Sequence, residues 1–123
     1  MYERILVGTD GSSTAAIAVD RAVEVAAASQ GKLTIMSVGK ADRAQEVVDR
    51  EASRHASAGV DIETLVMSGD ASSAIVEQAE KGKYDLVVVG NKGMTGASRF
   101  FLGSVPNKVS HHIPTALLIV RTT

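Results

Sequence analysis

The sequence predicts an α/β protein in which helices cover both faces of a parallel sheet. Short apolar runs of strand character alternate with longer segments of helical periodicity, in the order βαβαβαβαβ. The apolar runs are largely uninterrupted, which is typical of strands buried on both faces. The 123 residues, 45% of them hydrophobic and 22% charged, suit one globular domain over residues 1–123.

The first strand and the first helix are joined by a loop of small and polar residues. Residues 5–7 are aliphatic, and apolar residues after the loop recur on one helical stripe that ends near Gly31. Small and polar residues at this position supply the turn and the helix cap. The loop consists of Gly8, Thr9, Asp10, Gly11, Ser12 and Ser13, and we expect the first five to contribute to a ligand site at the end of the first strand.

The middle of the chain predicts two further strands and a polar helix between them. Residues 33–38 are strand-like, and residues 42–58 form a polar-rich helical pattern that Gly59 ends. Residues 60–67 alternate apolar and polar side chains, as a half-covered edge strand does.

The second half of the chain continues the alternation. Asp70 is expected to cap a third helix, which ends at Gly82, and residues 85–89 form the fourth strand. A last apolar run begins at Thr115 and ends at Val120, and it predicts the fifth strand.

The glycines after the fourth strand are the most informative feature of the sequence. Gly90 and Gly93 follow the strand. After nine intervening residues comes Gly103-Ser104, at the start of a helix over residues 104–112. Glycine lets the backbone approach a ligand closely, and free N–H groups at a helix start favour a phosphate. The pattern predicts an anion site, in which Arg99 and, less strongly, Lys92 could neutralise charge.

Composition excludes several classes of function. There is no cysteine, so disulfides, thiol catalysis and thiolate metal sites are excluded. A net charge of −1 and an aromatic content of 3% argue against a nucleic-acid partner. No apolar segment approaches the ~20 residues that span a bilayer, and no signal-peptide pattern is present, so we expect a cytoplasmic protein with no membrane partner.

The residues that surround the predicted anion site resemble those of the universal stress protein family, and the likeness covers essentially the whole chain. The glycine spacing marks the ATP-binding members of that family. The resemblance implies the sheet order 3-2-1-4-5 of a Rossmann-like, adenine nucleotide alpha hydrolase-like fold. The likeness rests on Val7 to Ser12, on Gly90, Gly93, Gly103 and Ser104, and on the closing run Leu117-Leu118-Ile119-Val120.

The resemblance also implies roles for individual residues. Asp10 would lie near the adenosine, although from the sequence alone it could equally cap the first helix. The backbone of Val38 would meet the adenine edge, and Val89 and Gly90 would line the ribose side. The phosphates would be held by Gly93, Gly103, Ser104 and Val105.

The functional hypothesis is an ATP-binding stress sensor or regulator, with Mg²⁺ expected only as a companion of ATP. Alternatives are a cyclic AMP-binding member of the family, a partner-binding scaffold with a vestigial pocket, and a slow ATPase. No Walker pattern is present, so we expect at most slow hydrolysis and assign no catalytic or metal-binding residue. The resemblance implies a homodimer through the strand from Thr115 to Val120, which would be an exposed edge.

Overall fold

The computed structural model describes residues 1–92 and 102–122, with five strands and four helices in that part of the chain. The elements follow one another in the predicted order. The strands are β1 (Arg4–Gly8), β2 (Lys32–Val38), β3 (Asp61–Met67), β4 (Leu86–Gly90) and β5 (Ala116–Val120). The helices are α1 (Ser13–Ser29), α2 (Ala41–Arg54), α3 (Ala71–Lys81) and α4 (Ser104–His112).

The five strands form one parallel sheet in the order β3-β2-β1-β4-β5, which confirms the predicted fold class. Ile5 of β1 pairs with Leu33 of β2 on one side and with Leu86 of β4 on the other. The strand order therefore reverses next to β1, between β1 and β4. In open parallel sheets a ligand crevice forms at this position.

Two helices pack on each face of the sheet. Val19 of α1 and Val48 of α2 belong to one buried cluster, together with Ile5. Ile75 of α3 and Val109 of α4 belong to the cluster on the opposite face. The strands between them are covered on both sides, which explains their uninterrupted apolar sequences.

Helix α2 is shorter than the sequence predicts, because it ends at Arg54 and not at position 58. His55 leaves the helical conformation (φ −113°, ψ 17°), and its Nε2 lies 2.9 Å from Oδ1 of Asp20 in α1. Ala56 and Ala58 would favour a longer helix by propensity. The tertiary contact between the two helices overrides that local preference.

Strand β4 begins at Leu86, one residue after the predicted start at Asp85. The Asp85 carboxylate accepts hydrogen bonds from the backbone N–H groups of Glu3 (2.9 Å) and Arg4 (3.0 Å), so it fixes the segment that leads into β1. Within the described residues no helix has the length and apolarity that crossing a membrane requires.

Candidate functional site

A crevice lies at the carboxyl ends of the central strands. Val7 of β1 pairs with Val88 of β4, so the loops after these two strands start side by side. The first loop leads to α1 on one face of the sheet, while the chain after β4 returns to α4 on the other face. The divergence of the loops leaves a crevice of about 600 Å³, a volume that includes space open to solvent.

The crevice brings together many of the predicted ligand residues. Those that line it are Gly8, Thr9, Asp10, Val38, Val89, Gly90 and Val105, and Lys92 lines it as well. Sequence reasoning did not identify the other lining residues, which are Thr14, Ala15, Met36, Ala71, Ile75, Pro106 and Thr122. Most of these have the sequence signature of core or helix-start residues, so only the fold shows that they meet at one cleft.

The remaining predicted residues lie elsewhere. Gly11 and Ser12 line a neighbouring groove between the β1–α1 loop and α2. Gly103 is buried at the start of α4, and Ser104 beside it is exposed. Gly93 and Arg99 lie outside the described residues, so their predicted roles stay predictions.

Backbone N–H groups of the β1–α1 loop donate to acceptors within the protein. The N–H of Thr9 donates to the carbonyl of Met36 (2.9 Å), and the N–H of Gly11 donates to Oγ1 of Thr9 (3.1 Å). The N–H of Ser12 donates to Oδ1 of Asp10 (2.9 Å), and Ser12 Oγ caps α1 by accepting from Ala15 (3.1 Å). Ser12, and not Asp10, is therefore the cap of α1. This loop shapes the crevice without presenting those three amides to an anion.

The start of α4 differs, because its N-cap residue has no side chain. Gly103 is the N-cap in an extended conformation (φ −62°, ψ 164°), with no side-chain capping hydrogen bond. The N–H groups of Ser104 and Val105 have no acceptor within the helix, as is general for a first turn. Pro106 follows and has no N–H. Helix α4 therefore has two adjacent first-turn amides and the positive end of its dipole beside the crevice, which Val105 and Pro106 line.

The start of α3 is also near the crevice, but a carboxylate occupies it. Asp70 accepts from the hydroxyl of Ser72 (2.7 Å) and from the N–H (3.0 Å) and hydroxyl (2.9 Å) of Ser73. These hydrogen bonds, with the Ser72 hydroxyl first, lower the pKa of Asp70 from 3.8 to about 2. The prediction that Asp70 caps this helix is confirmed. The ionised carboxylate makes α3 the less suitable helix for an anionic ligand.

Two parts of the crevice differ in chemistry. Val38, Ile75 and Val89 give it apolar walls on the sheet and on α3. Another part of the crevice is lined by Lys92 and by Val105 and Pro106 in the first turn of α4. Such a site suits a ligand with a flat apolar part and one anionic group.

The connection between β2 and α2 consists of Gly39 and Lys40. Gly39 has φ +153°, and no atom lies within 4 Å of the position of a Cβ there. The crevice is therefore not covered by a long segment on this side. Among residues 1–92 and 102–122 no group of three or more His, Cys, Asp or Glu side chains is placed to bind a metal ion.

The chain is similar to known proteins over nearly its whole length. The sequence matches the model of the Universal stress protein family over residues 1–52 and 39–121. Universal stress protein YxiE of Bacillus subtilis is 30% identical over 98% of this chain and 100% of its own length. A Staphylococcus aureus protein named for the same family is 35% identical over 98% of this chain and 85% of its own length. A universal stress protein solved in complex with cAMP is 40% identical, with a TM-score of 0.87 over 99% of this chain and 98% of that one.

Proposed function

This chain belongs to the universal stress protein family, and we propose that it binds an adenine nucleotide in the crevice between β1 and β4 as a stress-response sensor or regulator. The observation that carries the proposal is the start of α4 beside an apolar cleft, where the N-cap Gly103 has no side chain to cap the first-turn amides of Ser104 and Val105. The base would occupy the apolar walls near Val38, and a phosphate would accept hydrogen bonds from Ser104 and Val105.

The glycine pattern supports ATP as the ligand, and two observations favour cyclic AMP as the second candidate. Helix α4 offers only two amides before Pro106, which suits a single phosphate as well as a chain of three. The 40% identical relative of known structure is in complex with cAMP. We propose that both nucleotides compete for the same crevice, with Asp10 on the adenosine side.

Isothermal titration with ATP, cyclic AMP and adenosine tests the proposal. We expect saturable binding of at least one phosphate-bearing nucleotide, weaker binding of adenosine, and displacement of ATP by cyclic AMP. No binding of either nucleotide at millimolar concentration would overturn the proposed function. Binding in which adenosine matches both nucleotides would contradict the role of the α4 amides.

We further propose a regulatory role in the cytoplasm, with hydrolysis of ATP slower than about one turnover per second, the low end of typical enzymes. A homodimer through β5 accompanies this proposal, because β5 is an edge strand with apolar side chains. A monomeric mass by light scattering at micromolar concentration would contradict the dimer. A steady-state assay of phosphate release checks the rate.

A further inference from the structure

Asn91 joins three elements beside the part of the crevice that is proposed to bind the phosphate. Asn91 follows β4 directly and is 8% exposed. Its backbone N–H donates to the carbonyl of Val120 in β5 (2.9 Å). Its own carbonyl accepts from the N–H of Gly103, the N-cap of α4 (2.9 Å). Its side-chain Oδ1 accepts from the N–H (2.8 Å) and the hydroxyl (3.0 Å) of Thr122.

The amide orientation of Asn91 follows from these partners. A backbone N–H can only donate, so the atom that faces Thr122 is the side-chain oxygen. Two hydrogen bonds to one oxygen, in a buried place, hold the side chain in a single rotamer. They thereby fix the orientation of the Asn91 main chain, whose carbonyl holds Gly103.

Thr122 is itself part of the crevice wall. Its Cγ2 lies 3.4 Å from where a Cβ on Gly90 would stand, and Thr122 lines the cleft together with Lys92. The Asn91 side chain therefore sets the position of one wall, while its carbonyl sets the start of α4. Asn91 does not line the crevice.

We propose that Asn91 is a positioning residue for phosphate recognition. It holds the first turn of α4 at the distance from β4 at which the amides of Ser104 and Val105 meet the ligand's phosphate. This inference rests on the proposed nucleotide binding and adds a selective consequence. Loss of the Asn91 side chain weakens recognition of the phosphate and leaves recognition of the nucleoside nearly unchanged.

The selectivity follows from the layout of the sheet. Val38, at the proposed base end, belongs to β2, which is two strand positions from β4. Neighbouring strands are about 4.8 Å apart, so the base end lies about 10 Å from the Asn91 anchor. A local displacement of α4 therefore weakens the contacts to the phosphate more than the contacts to the base.

The test compares Asn91→Ala with the wild-type chain in binding of AMP and adenosine, measured by titration. Tyr84→Phe is the matched control, because it removes a buried side-chain hydrogen bond, Tyr84 Oη to Thr34 Oγ1 (2.9 Å), before β4 begins. We expect Asn91→Ala to lower AMP affinity about tenfold, the effect of one lost hydrogen bond to a charged group. Adenosine affinity should change less than about twofold, and Tyr84→Phe should leave the ratio of the two affinities unchanged.

Thr122→Val provides a milder variant if Asn91→Ala does not fold. It removes the 3.0 Å hydroxyl hydrogen bond and keeps the backbone one, so we expect about a threefold loss for AMP and a smaller loss for adenosine.

Two outcomes would overturn the inference, and they differ from each other. A wild-type chain that binds AMP, with variants that bind AMP equally well or lose AMP and adenosine in proportion, would contradict the role of Asn91 alone. A wild-type chain that binds none of AMP, ATP and cyclic AMP in the same titration would overturn the proposed function and this inference together.

Discussion

Arg50 of α2 donates a hydrogen bond from Nη2 to the backbone carbonyl of Gly11, at 2.8 Å. Gly11 has φ +83°, and a Cβ there would stand 2.8 Å from Cγ2 of Val47 and 2.9 Å from Nη2 of Arg50. The short Gly39-Lys40 connection places α2 against the β1–α1 loop in this way. The loop that carries Asp10 is therefore held by the helix beside it.

Replacing Gly11 with alanine should destabilise the fold by about 3 kcal/mol, from left-handed strain plus overpacking. Arg50 can swing away at the cost of its hydrogen bond, but Val47 is short and buried and cannot. Gly59→Ala is the matched control, since Gly59 has φ +73° and open space around a Cβ, so only about 1 kcal/mol is expected. Urea unfolding measures the free energy of unfolding of both variants. Equal losses of this free energy would contradict the packing role of Gly11.

Lys92→Ala should lower affinity for a phosphate-bearing nucleotide about threefold, as a partly exposed charge does. Lys92 lines the crevice and carries a positive charge, so added salt should reduce the difference from wild type. Lys81→Ala, in the last turn of α3, is the control that should leave affinity unchanged. If both lysine variants bind as wild type does, Lys92 has no part in binding.

Arg54→Met should cost about 2 kcal/mol of unfolding free energy, because it leaves the buried carboxylate of Glu51 with only the longer contact to Arg50 Nε (3.6 Å). Glu51 is 2% exposed, and Arg54 contacts both of its oxygens (2.8 and 3.0 Å) and Asp20 of α1 (2.8 Å). The estimate lies below that for a fully buried pair because Arg54 is itself partly exposed. Arg21→Ala breaks an exposed pair with Glu24 and should cost less than about 1 kcal/mol. Equal costs in chemical denaturation would contradict a structural role for the buried pair.

The Asp70 cap should make stability depend on pH in the acid range. Its pKa is lowered from 3.8 to about 2 in the folded chain, chiefly by the Ser72 hydroxyl, so the folded state favours the ionised form. The resulting stabilisation is complete above pH 3.8 and is lost as the pH falls towards about 2. The difference in melting temperature between wild type and Asp70→Ala should therefore shrink over that interval. A difference that stays constant with pH would contradict the cap's ionic contribution.

The sequence identified the strands well because four of them are apolar runs bounded by glycine or polar residues, while β3 shows the alternation of an edge strand. The parallel sheet followed from the alternation with helices, whereas the order 3-2-1-4-5 came from the family resemblance. The end of α2 could not be predicted, because the Asp20 contact that draws His55 out of the helix joins segments 35 residues apart. Propensity reports only local preferences.

For the crevice, residues at strand ends could be predicted from glycine and capping patterns, as Gly8 and Gly90 show. Met36 and Ile75 could not, because a buried apolar residue that also borders a cleft has the sequence signature of the core. Asn91 was missed for a similar reason. A polar residue in a glycine-rich stretch indicates a turn, and its contact with Thr122 depends on the strand order.

The most direct measurement is a titration of the ¹⁵N-labelled chain followed by amide chemical shifts, with cyclic AMP, ATP and adenosine as ligands. We expect saturable shifts of the Ser104 and Val105 amides with the two nucleotides and much smaller shifts with adenosine. The amides of Gly11 and Ser12, which donate to side chains of their own loop, should shift little. Saturable nucleotide binding that leaves Ser104 and Val105 unshifted would contradict it.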